Sequence, residues 1–212
     1  MIVILDYAMG NLGSILNMLR KIGVPSIVSS KIQDIEKADK LILPGVGAFN
    51  NGMANINEMG LLTVLNEKVL NDKTPVLGIC LGMQLLTSRS EEGELPGLGW
   101  IAGETVRFHF NQEGTNLKIP HMGWNTVKPI HKNSIFRNLS EDHRFYFVHS
   151  YHVVCEQEED ILARSNHGYD FVCSVQKENI LGIQFHPEKS HRFGLQLLKH
   201  FVELDLKCSG HV

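Results

Sequence analysis

No stretch of this 212-residue chain approaches the ~18 consecutive apolar residues that span a bilayer. Cysteine is scarce. There are four, at positions 80, 155, 173 and 208, with no C-x-x-C pair and no dense framework. That excludes a disulfide scaffold and implies reduced thiols in a cytosolic protein. An excess of charge of one sign is missing too. The net charge of −3 at pH 7 gives no electrostatic case for nucleic acid or an anionic membrane as the main partner. The opening MIVILDYAMGN has neither the basic n-region nor the long h-region of a signal peptide. No repeat, low-complexity segment or linker divides the chain into two domains.

What is present has an α/β rhythm. MIVIL reads as a short buried strand. Leu12, Ile15, Leu16, Leu19 and Ile22 follow helical spacing, stopped by Gly23-Val24-Pro25. SIVSS is a weaker strand. KLILPGVG is a strand broken by Pro44. Leu61, Leu65 and Val69 lie on one face of a second helix, PVLGI is a strand, and GMQLLTSRS starts a further helix. Alternation of this kind predicts a mostly parallel sheet with helices on both faces. After Trp100 the pattern changes. ETVRFHF, RFYFVHSYHVVC, DFVCSVQK and ILGIQFH are closely spaced strand-like runs that predict an antiparallel extension of the same sheet. SHRFGLQLLKHFVEL closes the domain as an amphipathic helix, with Leu195, Leu198 and Phe201 on one side. Residues 205–212 read as a loose tail.

One stretch raises a chemical question. Gly78-Ile79-Cys80-Leu81-Gly82 has the form G-x-C-x-G, placed where a strand gives way to a helix. Free cysteine is commonly buried as a small hydrophobe, so packing is the ordinary reading. The flanking glycines also fit a nucleophile on a tight strand-to-helix turn, next to a helix N-terminus that favours thiolate. A cysteine nucleophile needs a base, and the base needs an orienting group. GIQFHPEKS offers both, in His186 and Glu188, with Pro187 stiffening the turn. The H-x-E spacing also occurs in zinc deaminases, but their P-C-x-x-C is absent, so no metal is expected. An acyl-transfer site also needs an oxyanion hole. LPGVGAF supplies a candidate, since Gly45 and Gly47 can adopt positive φ and turn a peptide N–H toward a substrate oxygen. As a dinucleotide fingerprint that loop lacks its third glycine.

PGVGAF, GICLGMQLL and GIQFHPEKS, in this order, resemble the class I, triad-type glutamine amidotransferase family. The resemblance covers residues 1–204. It implies a single-domain, three-layer α/β (flavodoxin-like) fold with a mostly parallel central sheet and an antiparallel extension. It implies a catalytic triad of Cys80, His186 and Glu188, and no cofactor. It implies a glutamine pocket at Gly45, Gly47, Leu81, Gln84, Ser150 and Tyr151. DYAMGN, PHMGWN and HPEKS further resemble the glutaminase subunits of imidazole glycerol phosphate synthases, which dock on a (β/α)8-barrel cyclase subunit. By that resemblance Asn11, Met122, Trp124 and Lys189 belong at or near a docking face. Read by itself, PHMGWN is a turn with one large aromatic. Ala8 departs from the family, which often has glycine there. A paralogous subunit feeding ammonia to a sugar-amidinating partner, and a stand-alone cysteine hydrolase, are the alternatives.

Other polar and sulfur residues carry less. His149 and His152 are three apart on one expected strand, which predicts opposite faces and a poor metal pair. Cys155 and Cys173 read as inert core thiols and Cys208 as an exposed tail thiol. Asp6 and Asn11 read as turn and cap residues.

Overall fold

The computed structural model describes residues 1–110, 117–130 and 135–204. The expected tail at 205–212, with Cys208, lies outside the described residues. The strand read in MIVIL is β1 (Ile2–Leu5), buried throughout. Its side chains alternate: Ile2 and Ile4 enter one core, Val3 and Leu5 another. The sheet thus separates two apolar layers. On one face, α1 (Leu12–Ile22) contributes Ile15 and Leu19. The Asn11 side chain accepts a hydrogen bond from the Ser14 N–H at the start of α1, and Gly23 at φ +83° ends it.

The chain continues through β2 (Ser26–Ser29), α2 (Ile32–Glu36), β3 (Lys40–Gly45) and α3 (Phe49–Glu58). Next come α4 (Leu62–Asn66), prolonged by a π turn to Asn71, then β4 (Val76–Cys80) and α5 (Leu81–Leu85). Ile35, Phe49, Met53, Ile56, Leu65 and Leu85 from α2 to α5 fill the second core. The second half contains β5 (Arg89–Ser90), β6 (Gly103–Arg107), β7 (His121–Thr126), β8 (Lys128–Pro129), β9 (Arg144–His149) and β10 (Tyr151–Cys155). It ends with β11 (Ile161–His167), β12 (Tyr169–Lys177), β13 (Ile180–Ile183) and α6 (His191–Glu203). Leu197, Leu198 and Phe201 of α6 return to the first core beside α1. Lys40 Nζ donates to the carbonyls of Phe201, Val202 and Leu204 at 2.7, 2.8 and 2.6 Å, clamping the end of α6 to the start of β3.

The main sheet runs β2-β1-β3-β4-β13-β12-β10-β6-β5, with β11 paired to β12 and β8. From β2 to β13 every neighbouring pair is parallel. From β13 to β6 the pairs are antiparallel, which is the expected extension.

Several local readings need correction. Pro44 does not break its strand. β1 accompanies β3 only to Ile42, so Pro44 has a ladder partner on one side, Ile79, and its missing N–H costs nothing there. The helix read in GMQLLTSRS stops at Leu85. The Thr87 hydroxyl and N–H both turn back to the Gln84 carbonyl at 2.8 and 3.1 Å, and Arg89–Ser90 is already strand. RFYFVHSYHVVC is not one strand but two, divided at Ser150. β9 pairs with β7 in a separate ribbon, while β10 belongs to the main sheet. PHMGWN is therefore strand β7, not a turn. The helix α3 has no clear mark in the sequence, because its apolar residues Phe49, Met53 and Ile56 are diluted by asparagine and glycine in FNNGMANINE.

Candidate active site

Cys80 closes β4 and opens α5 with φ +54° and ψ −108°. Side chains rarely adopt that conformation, so the turn is strained. The two glycines around it are sterically required. A Cβ on Gly82 would stand 1.8 Å from the Leu43 carbonyl oxygen, and one on Gly78 would stand 2.7 Å from the Gly82 oxygen. The tight strand-to-helix turn expected at this stretch therefore has a geometric basis in close backbone approach.

β13 lies beside β4 in parallel register, with Gly182 opposite Gly78 and Ile183 opposite Ile79. The chain leaving β13 reaches His186 on the same side of the sheet edge. Its backbone is pinned there: the His186 N–H donates to the Tyr146 carbonyl at 2.9 Å, and the Ser190 hydroxyl donates to the His186 carbonyl at 2.6 Å. His186 Nδ1 and Glu188 Oε1 are 2.8 Å apart, with both side chains almost fully buried. His186 Nε2 is buried and has no hydrogen-bond partner. Burial lowers the pKa of His186 and is the largest single influence. The Cys80 side chain and Glu188 outweigh it together and raise the value from 6.5 to about 10.

Cys80 forms part of the wall of a cavity of about 390 Å³. Of the pocket residues expected from the sequence, Gly47, Leu81, Gln84, Ser150 and Tyr151 line it with the cysteine. Gly47 has φ +115°, as expected. Gly45 does not have positive φ. Glycine is needed there for space, since a Cβ would meet Leu81 Cβ at 2.7 Å and the Tyr7 hydroxyl at 2.8 Å. Beneath the cavity, Gln84 Nε2 donates to the Tyr151 carbonyl at 3.1 Å and to Gln184 Oε1 at 3.2 Å, and Gln184 Nε2 lies 3.6 Å from Cys80 Sγ.

Sequence reasoning missed Gln184, Glu92 and His149. Gln184 is a fully buried amide in an otherwise apolar strand end, a signal that is available in GIQFH. Glu92 lines the cavity and accepts from the Phe49 N–H at 2.9 Å. Nothing local in its sequence marks it. His149 lines the cavity too, and it does not oppose His152 as expected. Because Ser150 separates two strands, both rings pack on Phe108, with centroids 5.3 and 4.7 Å away. Among the described residues no group of three or more His, Cys, Asp or Glu could hold a metal ion. No helix among them is long and apolar enough to cross a membrane.

Asn11, Met122, Trp124 and Lys189 are all exposed. Met122 and Trp124 share the outer face of β7, 62% and 44% exposed. Trp124 stacks on His191 with centroids 5.5 Å apart, and Lys189 Nζ sits 5.6 Å above the Tyr146 ring. Cys173 is fully buried, with burial pushing its thiol pKa up, and Cys155 is pushed up to about 12 by the same cause. Both are poor nucleophiles.

Residues 3–204 match the family model for class-I glutamine amidotransferases. The chain belongs to that family. This class-I glutamine amidotransferase is 54% identical over 203 residues to imidazole glycerol phosphate synthase subunit HisH 2 of Methanococcus maripaludis, covering 96% of this chain and 99% of the relative. It is 51% identical over 204 residues to the subunit HisH 2 of Pseudomonas aeruginosa, covering 96% and 100%. It is 46% identical over 204 residues to subunit HisH of Bdellovibrio bacteriovorus, covering 96% and 100%. Among solved structures, the glutaminase domain of the CTPS of Trypanosoma brucei superposes with TM-score 0.63 at 17% identity, covering 96% of this chain and 94% of that one. The likeness to it is one of fold.

Proposed function

We propose that this amidotransferase is the glutaminase subunit of an imidazole glycerol phosphate synthase. It hydrolyses glutamine to glutamate and passes the ammonia to a (β/α)8-barrel cyclase subunit in a cytoplasmic heterodimer. Residues 1–204 are its amidotransferase domain. The observation that carries the chemistry is the buried Nε2 of His186, without a hydrogen-bond partner, oriented from behind by Glu188 and paired through β13 with the strand that bears Cys80. Near full-length identity to chains named HisH supports the pathway.

In this reading glutamine lies in the 390 Å³ cavity with its side-chain amide at Cys80. The Cys80 sulfur, with its proton held on His186 Nε2, attacks the amide carbon. A peptide N–H of the loop at 44–47 stabilises the oxyanion. The tetrahedral intermediate collapses as His186 returns the proton to the leaving nitrogen, releasing ammonia and leaving a γ-glutamyl thioester. Water, deprotonated by His186, then releases glutamate and restores the Cys80–His186 pair with its proton on the imidazole. The backbone at Ser150 and Tyr151, with Gln84 below, holds the amino-acid end of the substrate. The barrel subunit uses the ammonia to convert a phosphoribulosyl-formimino-AICAR ribotide to imidazole glycerol phosphate and AICAR ribotide. Asn11, Met122, Trp124 and Lys189 form the docking face toward it.

The test compares glutamine-dependent with ammonia-dependent synthesis by the assembled complex. Cys80→Ala abolishes the first and leaves the second nearly intact. Retained glutaminase activity in that variant would remove Cys80 from the mechanism. The same glutaminase chemistry would serve a sugar-amidinating partner, and the acceptor that supports synthesis distinguishes the two.

A further inference from the structure

An unbroken run of hydrogen bonds leads from the edge of β7 to the glutamine pocket. Asn125 Nδ2 is 3.1 Å from His121 Nε2, His121 Nδ1 is 3.0 Å from His149 Nε2, and His149 Nδ1 is 2.7 Å from the Tyr151 carbonyl oxygen. Both histidines are buried. The chemistry of each atom fixes the direction of the whole run. A carbonyl only accepts, so His149 Nδ1 carries a proton. A neutral His149 then has a bare Nε2, which must accept, so His121 Nδ1 carries a proton as well. That leaves His121 Nε2 bare, and it accepts from the Asn125 amide. The second hydrogen of Asn125 Nδ2 goes to the Asn166 carbonyl at 2.7 Å. One assignment satisfies every atom, with both rings neutral and both in the Nδ1–H tautomer. A proton added to His149 would set two N–H groups head to head.

We infer that His121 and His149 are positioning residues for glutamine binding: locked as neutral Nδ1–H tautomers, they hold the Tyr151 carbonyl and thereby the pocket backbone and Gln84. This rests on the glutaminase reading above. The Tyr151 oxygen has two acceptor positions, filled by His149 and by Gln84 Nε2. The second hydrogen of Gln84 Nε2 goes to Gln184 Oε1, which turns the Gln184 amide hydrogens toward Cys80 Sγ. The histidine pair therefore sets the orientation of two amides between the pocket wall and the sulfur.

The surroundings keep the pair uncharged. Phe108, Phe147 and Phe171 pack on the rings. His167 of β11 stacks on His121 at 4.2 Å, and His152 of β10 acts on His149 with the same sign of charge. Glu92 shares the cavity with His149, but among the described residues no carboxylate hydrogen-bonds either ring. Burial, then the charge of His167, lowers the His121 pKa to about 4, and burial holds His149 well below 6.5.

Nitrogen-15 NMR of the intact wild-type chain tests the wiring without any variant. Between about pH 6 and about pH 8, where an ordinary histidine titrates, both rings are expected to stay neutral with protonated Nδ1 and bare Nε2. An Nε2–H tautomer or an imidazolium at either ring in that range would overturn the inference. The kinetic arm uses the assembled complex. His149→Leu, which removes the donor, should raise KM for glutamine at least ~10-fold with a smaller change in kcat, as for loss of ground-state positioning. His149→Asn, whose amide nitrogen stands near Nδ1, should return KM to within ~3-fold of wild type. Unchanged KM in the Leu variant, or a failure of Asn to rescue, would reject the positioning role. If His149→Leu does not fold, His121→Leu and His121→Asn make the same comparison. If the wild-type complex hydrolyses no glutamine, the functional reading fails, and the tautomer measurement still decides the wiring.

Discussion

At the scale of the residue, Cys80 is held at φ +54°, ψ −108°, a conformation that costs on the order of 1–3 kcal/mol and that its neighbours must enforce. Gly82 is one of them. A Cβ there meets the Leu43 carbonyl at 1.8 Å, so Gly82→Ala is expected to cost about 3 kcal/mol or to prevent folding, measured by denaturant titration. His186 gives a signed pH prediction. Its pKa rises from 6.5 to about 10 on folding, so the imidazolium contributes stability in full below about pH 6.5. That contribution is lost as pH climbs through about 10. Wild type should therefore lose stability relative to His186→Gln between about pH 7 and about pH 10.5. Equal pH slopes for the two proteins would contradict the assignment. Cys80 helps to hold that pKa up, so Cys80→Ala should lower it, as followed by NMR titration of the ring.

At the scale of the element, β7 carries the docking prediction. Trp124 is 44% exposed and rests on His191, outside both apolar cores. Trp124→Ala should therefore weaken association with the proposed barrel partner by about 2 kcal/mol or more while leaving the fold of the isolated chain intact. Calorimetric titration with unchanged affinity, together with a collapsed melting temperature, would make Trp124 a structural residue instead. How legible the elements are in sequence depends on how local their causes are. β1 and α1 are readable because a buried run and a helical stripe are carried by adjacent residues. The proposed triad of Cys80, His186 and Glu188 can be read from sequence because the elbow glycines and the H-x-E spacing are local. PHMGWN is opaque because it is a strand only through pairing with β9, residues 144–149, far along the chain. Pro44 misleads because its tolerance depends on where β1 stops beside it. The split at Ser150 is hidden because both halves are β-prone and only their partners differ. Gln184 and Glu92 reach the pocket by tertiary placement alone.

At the scale of the whole molecule, the proposed function predicts that activity depends on the assembly. Gly47, exposed and at φ +115°, leaves the loop after β3 free to reorient a peptide toward the cavity. Partner binding with ribotide bound is expected to select the orientation that donates to the oxyanion. One such donor is worth roughly 10²–10³ in rate, so activation of that order should fall in kcat more than in KM. Gly47→Ala should blunt it by penalising the positive φ. An isolated chain that already runs at the full rate of the liganded complex would exclude this gating. The topology bears on how the protein is made as well as on how it works. β13, the last strand in chain order among the described residues, is the one that slots between β4 and β12, and the Lys40 clamp is made to the end of α6. A growing chain on the ribosome thus has a gap in the middle of its sheet, with the β13 side of β4 open, until β13 has cleared the exit tunnel. Cys80 is translated about a hundred residues before His186 and spends that interval without its base. Nascent chains stalled before β13 should therefore be inert toward glutamine-like electrophiles and prone to capture by chaperones, and release of β13 with His186 should switch on labelling and compactness together.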